Sequence, residues 1–185
     1  GERRGGTVGF PLPGMAVKIT DDEGRTLPTN TIGNILVKGA NVFVGYWRMP
    51  EKTKEEFTAD GFFRTGDMGK IDGEGYVSII GRSKDLIITG GLNVYPKEIE
   101  EMIDALPGVV ESAVIGLPHP DFGEAVTAVV VRQKSAAGTA LSEAGIIATL
   151  KAELANFKIP KRVHLVDDLP RNTMGKVQKN VLREQ

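Results

Sequence analysis

The stretch GRSKDLIITGGLNVYPKEIE, residues 81–100, marks the point at which the sequence pattern changes. Before it, over residues 7–83, short apolar runs alternate with turn signals, a pattern typical of strands and hairpins. From Lys84 onward, helical and strand patterns are mixed. The sequence therefore predicts an α+β protein with two parts, a β-rich part over residues 1–83 and a small mixed α/β domain over residues 84–185.

The β-rich part contains one helix signal and one clear hairpin signal. Pro50 is followed by acidic residues, which favours a two-turn helix over residues 50–57 because proline suits a first helical position. The turn sequence DGEG at residues 72–75 separates two apolar runs and predicts a hairpin.

The second part begins with an amphipathic pattern. After Pro96, apolar residues recur at positions i, i+3, i+4 and i+7 opposite an acidic face, which predicts a helix that ends before Pro107. Valine-rich and alanine-rich runs indicate buried strands. The remaining predicted elements are strands over residues 109–117, 125–131 and 163–166, a helix capped by Ser142, a loop over residues 133–139 and a final helix over residues 175–183.

Composition excludes several classes of protein. Hydrophobic residues make up 41% of the 185 residues and charged residues 25%, so neither a disordered chain nor a membrane-spanning protein is expected. The formal net charge of -1 provides no overall field for nucleic acid, and a modest basic patch near the carboxy terminus lacks interleaved aromatic residues. The absence of cysteine excludes disulfides and thiol nucleophiles and favours a cytoplasmic location. Because the chain opens with Gly1, we expect a fragment or a processed product.

Three clusters contain the residues that could carry chemistry. The first, FRTGD at residues 63–67, predicts a strand that ends in a glycine turn and exposes Asp67. A carboxylate in this setting can accept hydrogen bonds from two vicinal hydroxyls, such as those of ribose. The alternative is a structural Asx turn without a ligand.

The second cluster lies within residues 81–100. Arg82 follows a glycine and could pair with a phosphate through two hydrogen bonds. Gly90 and Gly91 have no side chains and would allow a thin ligand to pass close to the backbone. The alternatives are a surface arginine and a tight turn.

The third cluster is LPRNTMGKVQK at residues 169–179, in which Lys176 follows Gly175. A lysine on such a flexible loop can move into a cleft and neutralise charge that develops on a phosphate or carboxylate oxygen. Pro170 and Val177 occupy positions that a phosphate-binding P-loop would fill with glycine and a hydroxyl residue, so this motif is excluded. A solvated loop lysine is the alternative.

Two other candidate sites fail. The sequence GEG at residues 73–75 leads into a strand instead of a helix, so it is not a dinucleotide fingerprint. His119 and His164, the two histidines of the chain, lie in dissimilar settings, so we expect no metal site.

Taken together, and at these spacings, the three clusters resemble the carboxy-terminal motifs of the adenylate-forming superfamily, which includes acyl-CoA synthetases, luciferases and peptide-synthetase adenylation domains. Residues 33–53 and 118–124 resemble two further segments of these proteins. The resemblance implies a two-step reaction. ATP and a carboxylate give an acyl-adenylate and pyrophosphate, and a thiol then displaces AMP.

The resemblance also implies a role for each candidate residue. Asp67 would hold the ribose hydroxyls, Arg82 would contact ribose or phosphate, and Lys176 would be the catalytic lysine that bridges the carboxylate and the α-phosphate. Lys84 occupies the position of the hinge about which the small domain rotates. The pair of glycines at residues 90–91 would line the tunnel for the pantetheine arm of CoA.

In this family the phosphate loop and the segment that helps to hold Mg²⁺ are expected upstream of Gly1. The chain thus resembles the tail of the large amino-terminal domain, up to Ser83, followed by the whole mobile lid domain. Its implied partner is its own amino-terminal domain, its implied cofactors are ATP, Mg²⁺ and CoA, and the fragment alone is expected to be inactive.

Residues 1–14 are similar to bacterial malonyl-CoA synthetases, which implies malonate or methylmalonate as the acid. Two alternatives stay open. The first is an adenylation domain that feeds a carrier protein. The second is an interaction module whose exposed Lys176 loop is recognised by a partner, and the resemblance implies a protein lysine acetyltransferase as that partner.

Overall fold

The computed structural model describes residues 4–184, so the first three residues of the segment that resembles malonyl-CoA synthetases lie outside the described residues. The chain divides into two compact units, the first ending at Lys84 and the second beginning at Asp85. This boundary lies one residue after the one predicted from the sequence. Each unit contains a sheet of mainly antiparallel strands together with one or more helices, so the α+β fold class is confirmed.

The first unit contains a four-stranded antiparallel sheet in the order β1-β2-β3-β4. Asp72 closes the last hairpin, because its Oδ1 atom accepts the backbone N–H groups of Glu74 and Tyr76. The predicted hairpin and the predicted helix at Pro50 are both present. The elements of this unit are β1 Ala16–Thr20, β2 Gly33–Lys38, α1 Pro50–Glu56, β3 Phe63–Ile71 and β4 Val77–Arg82.

Strand β3 corrects the prediction that the chain turns away at Gly66. The strand continues through Gly66 and Asp67, and its register with β4 shifts only after Met68. Gly66 has a φ of 71°, a left-handed conformation that glycine adopts at low cost. The glycine therefore bends the strand without ending it.

The second unit contains a sheet in the order β6-β5-β8-β7, and β9 pairs in parallel with β8. The longest pairing joins β7 and β8 over most of their length. The strands are β5 Ile87–Thr89, β6 Leu92–Val94, β7 Val109–His119, β8 Gly123–Arg132 and β9 Arg162–Val166. The helices are α2 Pro96–Asp104, α3 Ala136–Ala140, α4 Glu143–Glu153 and α5 Lys179–Arg183.

Both faces of the β7–β8 pair are buried. On one face, side chains of α2 and α4 such as Ile103 and Leu150 pack against Val114 and Val130. On the other face, Leu169 and Leu182 cover the alternate residues of the same strands. Burial on both faces explains why these strands are almost continuously apolar in the sequence.

Two local predictions in the second unit are wrong. The segment predicted as a loop contains α3, because the Ser135 hydroxyl accepts the N–H of Gly138 and caps a short helix. The predicted last helix starts only at Lys179. The residues before it form a tight hairpin, closed by an isolated β-bridge between Arg171 and Val177.

Within residues 4–184, no helix is both long enough and apolar enough to cross a lipid bilayer.

Candidate functional site

Asp67 and Arg82 face each other across β3 and β4. The Arg82 Nε atom lies 2.9 Å from Asp67 Oδ1, and Arg82 Nη1 donates to the carbonyl oxygen of Thr65 at 3.2 Å. The first two sequence clusters therefore meet at one point. A carboxylate has about four lone-pair positions, so this pairing leaves Asp67 able to accept further hydrogen bonds.

The backbone around Asp67 is held by Thr65. The Thr65 hydroxyl donates to the carbonyl oxygen of Ile35 at 2.9 Å and accepts the N–H of Asp67 at 3.0 Å. Sequence reasoning missed this residue because its two partners lie on different strands. Thr65 ties the acidic position to β2, so the carboxylate is presented from a rigid sheet.

Asp67 also borders an apolar cavity of about 180 Å³ inside the first unit. Its side chain is 24% exposed, and that of Arg82 is 52% exposed. The acid is thus partly shielded while the guanidinium faces solvent. A hydrogen bond to a partly shielded carboxylate is stronger than one made in open water. The cavity is lined by Val8, Gly9, Phe10, Pro11, Val17, Ile35, Val37, Thr65, Asp67, Val77 and Ile79.

Lys84 lies in the 3₁₀ turn Ser83–Asp85, at the boundary of the two units. On its amino-terminal side, the Ser83 hydroxyl donates to the carbonyl oxygen of Gly66 in the first unit. On its carboxy-terminal side, Asp85 accepts from Arg183 Nη2 at 3.3 Å in the second unit. Each neighbour of Lys84 is therefore anchored within its own unit.

Gly90 and Gly91 form the tip of the β5–β6 hairpin. Their φ values are 56° and 77°, and a Cβ atom at either position would meet nothing within 4 Å. A side chain here would therefore be strained by the backbone and not by crowding. The tip is open, as a passage along the backbone requires.

The hairpin is tied to the start of β8 and to the residue before it. Gly90 N donates to the carbonyl oxygen of Phe122 at 2.8 Å, and Ile88 N donates to Glu124 Oε2 at 2.7 Å. A Cβ atom at Gly116 would lie 2.5 Å from Glu124 Oε1, so the glycine makes room for this carboxylate. Sequence reasoning noted the segment around Glu124 but assigned it no role.

Lys176 lies on the hairpin loop over residues 171–177, and its side chain is exposed. Asn172 organises this loop. Its Oδ1 atom accepts the N–H groups of Met174 and Lys176, each at 3.0 Å, and its backbone N–H donates to the carbonyl oxygen of Lys176 at 2.9 Å. The loop is therefore an ordered turn, where sequence reasoning expected a flexible pivot.

Arg171 joins the same loop to the sheet. Its Nη1 atom donates to the carbonyl oxygen of Gly175 at 2.6 Å, and its Nη2 atom pairs with the Glu111 carboxylate on β7. This carboxylate raises the pKa of the Arg171 guanidinium above its usual value, chiefly through the hydrogen bond between them. The charge on Arg171 is therefore permanent in the physiological range.

A second ion pair holds the chain just after the loop. Lys179 Nζ lies 2.6 Å from Glu100 Oε1, and both side chains are 17% exposed. Glu100 also accepts the N–H of Val114 at 2.8 Å. The lysine loop is thus fixed at both ends, by β7 through Arg171 and by α2 through Lys179.

The candidate residues fall into separate groups. Asp67 and Arg82 are in direct contact in the first unit, whereas the paired glycines at the β5–β6 tip and the Lys176 loop are separate features of the second unit. Among the described residues there is no group of three or more His, Asp or Glu side chains that could hold a metal ion.

Comparison with known proteins identifies the family. The family profile described as "AMP-binding enzyme" matches residues 1–47, and the profile described as "AMP-binding enzyme C-terminal domain" matches residues 98–176. The chain belongs to the adenylate-forming superfamily and corresponds to its carboxy-terminal portion. The resemblance inferred from the three clusters is thereby confirmed.

Individual relatives are named as CoA ligases for different carboxylic acids. A malonate–CoA ligase of Arabidopsis thaliana is 43% identical over 100% of this chain and 31% of its own length. A ligase of Rhodococcus jostii for an indenyl-substituted propanoyl group is 48% identical over 97% of this chain and 32% of its own length. Among solved structures, ATP-bound MatB from Rhodopseudomonas palustris is 66% identical, with a TM-score of 0.91, over 100% of this chain and 36% of that one. The chain thus spans about a third of the length of the relatives it matches.

Proposed function

We propose that this chain is the carboxy-terminal part of an AMP-forming acid–thiol ligase that activates a small carboxylic acid with ATP and transfers the acyl group to CoA. The Asp67–Arg82 pair is the observation that carries the proposal, because it places an acceptor and a cation side by side on a rigid sheet. Family membership and ATP-bound relatives support the use of ATP.

In the first half-reaction, a carboxylate oxygen of the acid attacks the α-phosphorus of ATP, and the bond to pyrophosphate breaks. Asp67 accepts hydrogen bonds from the ribose hydroxyls. Arg82 forms an ion pair with Asp67 and contacts ribose or phosphate. Lys176 neutralises the negative charge that builds up between the acid and the α-phosphate. A cation placed where charge develops contributes roughly 10²- to 10³-fold in rate. The ligands of the required Mg²⁺ are proposed to lie in the upstream large domain.

In the second half-reaction, the CoA thiol attacks the acyl carbonyl carbon, loses its proton, and AMP leaves. The thiol needs the space that Lys176 occupies during adenylation, so the small domain must rotate between the steps. Lys84 is the proposed hinge. The separate anchoring of Ser83 and Asp85 supports this role, because it leaves one residue free to absorb the change in backbone angles.

The hinge is tested by Lys84→Pro in the full-length protein. Proline fixes φ near −65°, so the backbone can no longer rotate freely at this position. We expect thioester formation from supplied acyl-adenylate to fall while adenylation is largely retained. If neither half-reaction changes its rate in the variant relative to wild type, the assignment of Lys84 as the hinge is contradicted.

The glycine pair at the β5–β6 tip is proposed to line the pantetheine passage in the second step. The support is that both positions are open and lack side chains. Replacing Gly91 by a bulky residue in the full-length protein should slow thioester formation without slowing adenylation. An unchanged thioester rate would contradict the assignment.

Malonate or methylmalonate is the proposed acid. The support is similarity to a malonate–CoA ligase and to MatB. The test is to compare pyrophosphate release by the full-length protein with malonate, methylmalonate, acetate and a long-chain acid. A preference for the long-chain acid would reject the proposed substrate class without affecting the reaction type.

Free CoA is the proposed acceptor, because both curated relatives described above are CoA ligases. The alternative, a domain that loads a carrier protein, is distinguished by offering the preformed adenylate to CoA and to a carrier-bound pantetheine thiol. Faster transfer to the carrier would favour the alternative.

Lys176 is also a proposed target of a protein lysine acetyltransferase. The observation that favours this role is its exposure on a defined hairpin. Acetylation would remove the charge and silence adenylation. Incubation with an acetyltransferase and acetyl-CoA, followed by peptide mass mapping, tests this role, and acetyl groups found only on other lysines would count against it.

A further inference from the structure

The loop that carries Lys176 needs a device that fixes the position of its backbone. A lysine side chain has a flexible four-carbon stem and loses about 2 kcal/mol of rotamer entropy when it is held in one place. If the backbone that carries it were also mobile, the ammonium group would seldom reach a productive position. Whatever holds the loop therefore contributes to the reaction.

Asn172 makes four hydrogen bonds within this loop. Its side-chain oxygen accepts from Met174 N and Lys176 N, and its backbone carbonyl accepts from Gly175 N at 2.9 Å. Its backbone N–H donates to the carbonyl oxygen of Lys176. Both backbone polar groups of Lys176 are thus bonded to Asn172.

The side chain of Arg171 completes the arrangement from outside the turn. It binds the carbonyl oxygen of Gly175 and the Glu111 carboxylate on β7. Arg171 therefore attaches the turn formed by Asn172 to β7, so the turn has a fixed position relative to the sheet. The carboxamide of Asn172 is the one side chain within residues 171–177 that bonds the backbone N–H of Lys176.

We propose that Asn172 is a positioning residue for adenylation, which sets the backbone of Lys176 so that its ammonium group reaches the reacting oxygens. This inference rests on the proposed role of Lys176. The side chain of Asn172 acts only as an acceptor toward Met174 and Lys176, so a carboxylate or a hydroxyl at this position can replace it in part, whereas a methyl group cannot.

The test uses the full-length protein and measures the two half-reactions separately. We expect Asn172→Ala to lower kcat of adenylation about 10- to 100-fold with little change in KM for ATP, because a small misplacement of a catalytic group has an effect of this size. Thioester formation from supplied acyl-adenylate should keep its rate. Asn172→Asp and Asn172→Ser should recover part of the lost adenylation rate.

Asn180→Ala is the matched control. Asn180 is exposed on α5, and its side chain forms no hydrogen bond with any other residue between 4 and 184. We expect wild-type rates for both half-reactions in this variant.

A double variant separates positioning from general stability. If Asn172 acts through Lys176, Asn172→Ala should add nothing further to the loss caused by Lys176→Ala. Full additivity of the two losses would overturn the proposal, as would a wild-type adenylation rate in Asn172→Ala or equally slow alanine, aspartate and serine variants. If Lys176→Ala itself retains adenylation, the assigned role of the lysine fails, and the inference about Asn172 fails with it.

Discussion

At the scale of single residues, Gly108 shows how a backbone position can demand glycine for two reasons. Its φ is 90°, and a Cβ atom there would lie 2.5 Å from the carbonyl carbon of Ala137. Gly108 also accepts the N–H of Gln133 at 2.7 Å, so the local chain cannot easily move away. The sequence predicts the end of a helix just before this glycine, but the crowding depends on α3, which the sequence did not predict.

We expect Gly108→Ala to destabilise the second unit by about 2 kcal/mol or more, since left-handed strain and a backbone clash add together. Urea unfolding, monitored by a spectroscopic probe in the second unit, measures this change in the free energy of unfolding. Gly145→Ala is the control. Gly145 lies in the first turn of α4, where alanine favours helix, and its Cβ atom would meet the Ser142 hydroxyl at 3.1 Å, whereas a Cβ atom at Gly108 would meet the backbone at 2.5 Å. Similar unfolding midpoints for both variants would contradict the account of Gly108.

Among the elements of the first unit, β1 is connected to the segment before β3 by an ion pair. Lys18 Nζ lies 2.8 Å from Asp60 Oδ2, and the Thr58 hydroxyl also donates to this carboxylate. Two hydrogen bonds lower the pKa of Asp60 from 3.8 to about 2, and the one from Lys18 has a larger effect than the one from Thr58. The stabilising effect is therefore present above the unfolded-state pKa and is lost as the pH falls toward 2.

An NMR titration of the Asp60 carboxyl group should give a pKa of about 2. In Lys18→Met the pKa should rise toward its ordinary value, because the largest cause of the shift is gone. Lys38→Met provides the comparison. Lys38 donates to the backbone carbonyl of Asp60 and not to its carboxylate, so its removal should have a smaller effect. Equal shifts in the two variants would reject Lys18 as the specific cause.

The β5–β6 hairpin should depend on Glu124 for its attachment to β8. In Glu124→Ala, the amide of Ile88 loses its acceptor, and we expect its hydrogen exchange to accelerate about tenfold, which corresponds to a hydrogen bond of roughly 1.4 kcal/mol. The amide of Gly90 serves as an internal control, because it donates to the backbone of Phe122. Equal acceleration at both amides would indicate general loosening, and no change at Ile88 would remove Glu124 from this role.

Most elements could be predicted because their signals are local. The helix after Pro96 follows an apolar period that a single face of α2 buries, and Ser142 caps α4 as its side chain suggests. The errors arose where other hydrogen bonds override a local pattern. The backbone N–H of Asn172 binds the carbonyl oxygen of Lys176, which a helix beginning at residue 175 would have used as an acceptor. Ser135 caps a helix inside a segment that resembles a loop.

Across the whole molecule, the proposed functional residues are divided between the two units. Asp67 and Arg82 belong to the first unit, and Lys176 belongs to the second. The family could be inferred from sequence, because residue type and spacing identify it, and the proposed roles of these residues follow from that family. The residues that hold them, Thr65 and Asn172, could not, because their roles depend on hydrogen bonds that only the folded chain reveals.

The central claim is that Lys176 serves adenylation and is not needed for thioester formation. The most direct measurement compares the rates of the two half-reactions in full-length Lys176→Ala and wild type, with malonate for the first step and supplied malonyl-adenylate with CoA for the second. We predict a loss of roughly 10²- to 10³-fold in pyrophosphate release, with the thioester rate unchanged. Retained pyrophosphate release, or an equal loss in both steps, would contradict the account.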